Sequence, residues 1–206
     1  MPQPPAPLSG PGKGSREPAE RGPARECRAH LLSSDARILS GRPRGAQLRG
    51  TVEERLQQEP APCLLPLDFG GVEFVDVSCA DELLEGLLAR VTGGDLGARL
   101  VLGQRMNASV RDTVNAVLQL RERALIVRDA AGVAVLGHLQ PPLLEALSAV
   151  PEGGRITSPE LAEVLGRNLN IACNRLNALV RHGLVWRWRD AAAAGGGRQY
   201  TYESLV

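Results

Sequence analysis

Apolar residues recur with a helical period near the end of the chain. Wound at about 100° per residue, residues 168–184 place four apolar side chains on one side: Ala172, Leu176, Leu179 and Val180. The opposite side carries three asparagines and an arginine: Asn170, Asn174, Asn177 and Arg181. Solvated helix faces are usually rich in Glu, Lys and Arg, because Asn is a mediocre helix former. The pattern therefore indicates an outward face with a role beyond helix stability.

Two shorter helices are predicted ahead of this one, and a strand ribbon after it. Residues 139–150 have a helical apolar period. A second helix begins after Thr157, because Glu160 completes a capping box with it, and ends at Gly166. The closing segments VWRWRD and RQYTYES alternate with the period of strands, and we predict that they pair as a two-stranded ribbon.

The front half alternates between strand-like and helix-like segments. Short apolar runs, typical of buried strands, lie at 64–69, 72–76 and 98–103. Helical periods follow at 80–91 and 110–118, and Ser109 is a candidate N-cap of the second helix. This alternation predicts an α/β fold in which helices cover a sheet. Residues 124–137 read ALIVRDAAGVAVLG, which predicts a β-hairpin.

These patterns divide the chain into three parts. Residues 1–35 are a Pro/Gly/Arg-rich tail, and we expect disorder there because the tail has too few apolar residues to offset its ordering entropy. Residues 36–122 form the predicted α/β domain. Residues 123–206 form a second domain, in which the hairpin leads into the three helices and the ribbon.

Several classes of protein are disfavoured by composition. No run of about 18 apolar residues and no apolar signal segment occurs, so we expect a soluble, cytoplasmic protein without a membrane partner. No two of the four cysteines form a CxxC pair, so we expect no disulfide framework, no metal site and no cofactor. Asp81 and Glu82 are adjacent in a helix, where side chains diverge by about 100°. With no nucleophile–base pair in view, we expect no catalytic residue and no enzyme.

Charge is unevenly distributed although the formal net charge of the chain is only +1. Between residues 165 and 200 there are six arginines and a single acid, Asp190. A local excess of this kind suits a phosphate-bearing partner. Asn can make a two-point contact with adenine, and Arg with guanine.

The segment ITSPELAEVLGRNLNIACNRLNALVRHGLVWRWR resembles the winged helix-turn-helix family, and the resemblance extends over residues 137–206. It implies that the Asn-bearing helix enters the major groove of double-stranded DNA and that residues 190–198 form the wing. The implied DNA-contacting residues are Asn170, Asn174, Arg175, Asn177, Arg181 and Arg198, with Arg175 and Arg198 on phosphates. The tip AAAAGGG is uncharged, however, and many winged helices bind proteins instead. Protein docking therefore stays open.

Residues 38–118 resemble the STAS-like bacterial domains of uncharacterised function, through ILSGRPRGAQLRGTVE, LPLDFGGVEFVDVSCADELLEGL and GQRMNASV. In the more distant true STAS domains, a partner kinase phosphorylates a serine at the start of a helix. Alignment puts Val77 at that serine, so Ser78 is the nearest candidate phosphoacceptor. A helix N-cap is the other interpretation of Ser78.

Together the two resemblances predict a bacterial transcriptional regulator. The winged helix would bind DNA, as a homodimer, and the STAS-like domain would bind a protein partner of the kinase-like ATPase type. The alternative is an adaptor that binds no DNA and acts in a partner-switching system, as anti-sigma-factor antagonists do.

Overall fold

The computed structural model describes residues 24–33, 35–130, 132–189 and 200–206. Most of the predicted tail lies outside these ranges. Over the described residues the chain is a mixed α/β protein with six helices: α1 (Arg42–Gln58), α2 (Val77–Gly93), α3 (Ala108–Leu120), α4 (Pro141–Ser148), α5 (Ser158–Leu165) and α6 (Leu169–His182). None of these helices is both long enough and apolar enough to cross a membrane.

The strands form a large sheet, a three-stranded sheet and a short parallel pair. The strands of the large sheet are β1 (Arg25–Glu26), β2 (His30–Leu31), β4 (Cys63–Asp68), β6 (Arg99–Gln104), β7 (Ala124–Asp129) and β8 (Gly132–Gly137). The short pair is β3 (Ile38–Leu39) with β5 (Phe74–Val75). The three-stranded sheet consists of β9 (Arg155–Thr157), β10 (Val185–Arg189) and β11 (Tyr200–Ser204).

The large sheet has the order β1-β4-β6-β7-β8, and β2 also pairs with β4. Its central strands β4, β6 and β7 are parallel, and β8 runs antiparallel to β7. All six residues of β4 are buried, as is usual for a strand inside a parallel sheet. Helix α2 packs against both α1 and α3. The α/β alternation predicted for the front half is therefore confirmed.

The predicted tail boundary at residue 35 differs from the structure. Arg25 and Glu26 pair with the start of β4, and His30 and Leu31 pair with its end. Leu32, which follows, is fully buried. Strands of two residues are too short to produce an alternating pattern, so the sequence carried no signal for them.

The hairpin β7–β8 lies in the large sheet, whereas the sequence predicted it in the C-terminal domain. The sequence pattern assigns it to the domain of the C-terminal helices, but β7 pairs in parallel with β6, with Gly103 opposite Val127. The hairpin therefore extends the large sheet. Antiparallel pairing between neighbours is visible in a sequence, whereas a parallel partner more than twenty residues away is not.

Two helix caps differ from prediction. Asp76, not Ser78, caps α2, and its Oδ1 accepts a hydrogen bond from the Cys79 amide at 2.7 Å. Asn107, not Ser109, caps α3. In both cases the helix begins before the predicted serine, because Asp and Asn are equally good caps and stand ahead of it in the chain.

The C-terminal part runs helix, strand, helix, helix, strand, strand, and its sheet has the order β10-β11-β9. The predicted capping box of Thr157 and Glu160 is confirmed, and Gly166 ends α5 in the left-handed conformation. A single cluster of buried apolar residues runs through both parts of the chain. Gly183, which ends α6, lies against Leu100 and Thr92 of the front part.

Candidate nucleic-acid interface

Helix α6 separates its buried and outward faces as its sequence predicts. Asn168 caps it by accepting a hydrogen bond from the Ile171 amide at 2.9 Å. The buried face consists of the four predicted apolar residues: Ala172, Leu176, Leu179 and Val180. We call the opposite set, Asn170, Asn174, Asn177 and Arg181, the α6 stripe. Asn170, Asn174 and Arg181 are exposed, and Asn177 is half-buried.

Asn177 faces the ribbon formed by β10 and β11. Its Oδ1 lies 3.5 Å from Nη1 of Arg187, which donates a hydrogen bond to it. The guanidinium carbon of Arg187 lies 5.2 Å from the centre of the Tyr200 ring, within cation–π range. Asn177 therefore joins α6 to the ribbon, while Asn170 and Asn174 are exposed.

Arg175, predicted as a phosphate contact, forms an ion pair within the protein. Its Nη1 lies 2.6 Å from Oε2 of Glu145 in α4, and its side chain is only 14% exposed. The charge of Arg175 is thus already balanced. Arg198, the other predicted phosphate contact, lies outside the described residues. Exposed arginines at Arg167 and Arg189 flank α6 on either side in sequence.

The opposite face of the ribbon carries contacts that sequence analysis did not find. Nε of Arg155 lies 2.9 Å from Oε2 of Glu203, and its guanidinium carbon lies 5.0 Å from the centre of the Trp188 ring. Arg155 and Glu203 are register partners on β9 and β11. The pairing of β9 with the ribbon is non-local, so nothing in the sequence pointed to this contact.

A shallow groove separates α6 from the ribbon. It has a volume of about 400 Å³ and lies between Ser158 and Pro159 of α5, Leu169 and Cys173 of α6, and Tyr200 and Tyr202 of β11. Burial raises the pKa of Tyr202. The groove is mainly apolar, and Asn177 and Arg187 supply its polar groups.

In the front part, Ser78 is exposed in the first turn of α2. The cap of that helix is already occupied: Asp76 accepts hydrogen bonds from the Cys79 amide and, at 2.8 Å, from the Gly41 amide. A phosphate on Ser78 would stand beside the Asp76 carboxylate.

The acids of α2 form ion pairs with other elements of the front part. Asp81 accepts two hydrogen bonds from Arg121, both at 2.7 Å, and these hold the pKa of Asp81 below its usual range. Glu85 makes an equivalent two-point contact with Arg123. Each pair ties α2 to the segment that joins α3 and β7, so these acids have structural partners.

A second polar cluster lies at the end of β4. The carboxylate of Asp68, 7% exposed, accepts hydrogen bonds from Arg105 Nε at 2.7 Å and Nη2 at 2.6 Å, and also from Gln104 and the Gly70 amide. Burial acts to raise the pKa of Asp68, but these hydrogen bonds outweigh it and hold the pKa below its usual range. A Cβ on Gly70 would lie 2.4 Å from the Arg105 guanidinium, so a larger residue there would displace the Arg105 side chain. Ligands of α/β proteins often bind at this edge of a sheet, but here each carboxylate oxygen already has two donors.

An exposed apolar surface lies beside the start of α2. Ile38 and Phe74 are register partners in β3 and β5, and Val77 begins α2. All three side chains are exposed. We call Ile38, Phe74 and Val77 the β3–β5 patch.

Metal ligands do not cluster in the described part of the chain: no three His, Cys, Asp or Glu side chains lie together there. Comparison of the chain with known protein families, curated proteins and solved structures found no match.

Proposed function

We propose that the C-terminal part of this chain is a winged helix that binds double-stranded DNA through α6. The observation that carries the proposal is the outward position of Asn170, Asn174 and Arg181 on one face of a helix whose other face is buried. The order of three helices followed by a two-stranded ribbon supports it, since that is the order that the winged-helix resemblance implies. Strand β9 pairs with the ribbon as an additional strand.

The chemistry of this surface fits a duplex. Asn and Arg side chains can bond the edges of bases in the major groove, where each base pair presents a distinct pattern of donors and acceptors. In helix-turn-helix proteins the first residues of the second helix make such contacts. Asn170 and Asn174 lie in the first two turns of α6. Arg167, Arg181 and Arg189 are exposed and available to phosphates.

On this proposal the chain is a bacterial transcriptional regulator, and the STAS-like front part receives the signal. Its β3–β5 patch supports a protein partner, because exposed apolar residues that adjoin one another mark interaction sites more often than scattered ones do. A kinase-like ATPase is the class of partner that the STAS resemblance implies. Binding as a homodimer to paired half-sites would fit the family.

The experiment is binding of the full chain to duplex DNA over a range of salt concentrations, measured by fluorescence anisotropy. We expect the affinity to fall steeply as salt rises. Arg181→Ala should lower the slope of log affinity against log salt by about one for a lost phosphate contact. Arg28→Ala, at an exposed position of the front part, is the matched control and should leave the slope unchanged.

The second candidate is the adaptor that binds no DNA, which the β3–β5 patch also favours. It predicts no salt-dependent binding to duplex even at low ionic strength. It also predicts that Phe74→Asp abolishes partner binding, while Gln119→Ala, at an exposed position on α3, does not.

A further inference from the structure

We infer that α6 recognises two adenines at adjacent base pairs, one through Asn170 and the other through Asn174. The inference rests on the proposed DNA binding and adds the sequence that this surface would select.

The side-chain amides of α6 and its cap fall into two groups. Asn168 uses its oxygen to cap the helix, and the oxygen of Asn177 accepts from Arg187. Asn170 and Asn174 are exposed, and within the described ranges of the chain neither side chain has a hydrogen-bond partner. Both the oxygen and the nitrogen of these two amides are therefore available to a binding partner.

An amide with both atoms available complements adenine in the major groove. Its oxygen accepts from N6 of adenine, and its nitrogen donates to N7. Guanine offers two acceptors at the same edge, a pattern that suits Arg and leaves an amide oxygen facing another oxygen. Two exposed amides on one face therefore favour adenine at two positions.

The spacing of the two side chains sets the spacing of the bases. Asn170 and Asn174 are four residues apart, and a helix rises about 1.5 Å per residue, so they are about 6 Å apart along α6. Successive bases of a strand are about 3.4 Å apart along the duplex axis. A helix lying along the major groove is steeply inclined to that axis, and in zinc fingers residues three to four positions apart on such a helix contact successive bases. The two amides therefore reach adjacent base pairs. Four residues turn the helix through about 400°, so both amides stay on one face.

Asn177 takes a different role from the one its sequence position suggested. It lies nearly one turn beyond Asn174 on the α6 stripe, but its contact with Arg187 directs it to the ribbon. We assign it as a positioning residue, which sets the angle between α6 and the ribbon. Its substitution should change affinity without changing which bases are preferred.

The test is selection of bound duplexes from a randomised library by the full chain, followed by sequencing, for the wild type and for Asn170→Ala, Asn174→Ala and Asn177→Ala. The wild type should enrich adenines at two adjacent base pairs, on either strand. Asn170→Ala should lose one of these preferences and Asn174→Ala the other. Asn177→Ala should keep both, which makes it the matched asparagine control on the same helix.

Base analogues give a second readout on the selected duplex. Replacing one of the two adenines by 7-deazaadenine removes the N7 acceptor and should weaken wild-type binding roughly tenfold. The variant that lacks the corresponding asparagine should bind both duplexes equally. Because Asn170 and Asn174 are exposed, circular dichroism should show unchanged folding for both variants.

The outcomes separate the inference from the proposed function. Salt-dependent binding without adenine preference would overturn the inference and leave DNA binding standing. Adenine preferences that survive in both Asn170→Ala and Asn174→Ala would also overturn it. Absence of duplex binding at low salt would overturn the proposed function, and the inference with it.

Discussion

Nη1 of Arg175 lies 2.6 Å from Oε2 of Glu145, and this ion pair joins α6 to α4. Arg175 stands next to Asn174 in the chain, yet its side chain is turned towards the protein, whereas that of Asn174 is exposed. This difference is expected, because neighbouring residues on a helix point about 100° apart. The positive charge of Arg175, in the middle of α6, therefore stabilises the fold through Glu145.

Arg175→Ala should therefore lower stability more than it changes DNA binding. Glu145 is partly exposed, so we expect a loss of about 0.2–1 kcal/mol in the free energy of unfolding. The salt slope of DNA binding should stay unchanged, in contrast to Arg181→Ala. Urea denaturation and anisotropy measure the two effects. A salt slope that falls by one in Arg175→Ala would mean that the ion pair opens and the arginine binds a phosphate.

Two glycines of α1 should respond in opposite ways to alanine. A Cβ on Gly45 would lie 2.5 Å from the backbone oxygen of Cys79, where α1 and α2 approach closely, and nothing lies within 4 Å of one on Gly50. Gly45→Ala should destabilise the protein by about 1–3 kcal/mol through overpacking. Gly50→Ala should stabilise it by about 0.5–1 kcal/mol, because alanine favours the helix. Chemical denaturation measures both, and equal effects would contradict the close approach of the two helices.

Stability should decline as pH falls below about 6.5, the usual pKa of His. Burial lowers the pKa of His182, assisted by the nearby positive charges of Arg181, Arg123 and His138, and burial also lowers the pKa of His30. A lowered pKa means that the unfolded chain binds a proton first, so stability is complete above the unfolded pKa and is lost as pH falls towards the folded one. The double variant His30→Gln/His182→Gln should show a flatter profile between pH 7 and 5 in urea denaturation. An unchanged profile would exclude these two histidines as the cause.

A separate loss should occur in stronger acid. Hydrogen bonds from Arg121 lower the pKa of Asp81, so the stability from this pair is present above the unfolded pKa of about 3.9 and is lost as pH falls through the folded value. Asp81→Asn should be less stable than the wild type at pH 7, and the two should converge at pH 2–3. Thermal unfolding at the two pH values checks this, and a constant difference would contradict it.

The four cysteines should react with a thiol reagent in two classes. Burial raises the pKa of Cys63 to about 12 and that of Cys79 to about 11, and it also raises the pKa of Cys27. Cys173 is the half-exposed cysteine, at the groove between α6 and the ribbon. One thiol should therefore react quickly in the native protein and all four after unfolding.

The Cys173→Ser variant is the control, since it should remove the fast phase of that reaction. Bound duplex should slow the same phase if DNA covers the groove. Two or more fast thiols in the native protein would contradict the burial of the other three.

The features that the sequence predicted correctly depend on residues that are close together in the chain. The Thr157–Glu160 box, Gly166 and the period of α6 each act within one or two turns, so their geometry follows from neighbouring residues. The sequence did not predict helix α1, because Arg42–Gln58 buries just three large apolar side chains. Its close approach to α2 occurs at Gly45, which lies against the backbone of Cys79, and such a contact between helices leaves no pattern in the sequence.

Contacts between distant parts of the chain could not be predicted. Strand β9 gains its partner from β11, more than forty residues later, and two-residue strands complete the edge of the large sheet. Arg175 and Glu145 are thirty residues apart, so a sequence pattern can place both on helices without pairing them. For the same reason the sequence could not show that Asn177 differs from the other residues of the α6 stripe. Its partner, Arg187, lies on the ribbon.

The end of α6 has a mechanical consequence for regulation. A Cβ on Gly183 would lie 3.6 Å from Leu100 of β6 and 3.8 Å from Thr92 of α2, so the end of α6 lies close to the front part. A partner that displaces α2 would therefore also move the C-terminal end of α6. Asn170 lies near the opposite end of the same helix, so a displacement at the front part would also move the surface for which we propose DNA binding.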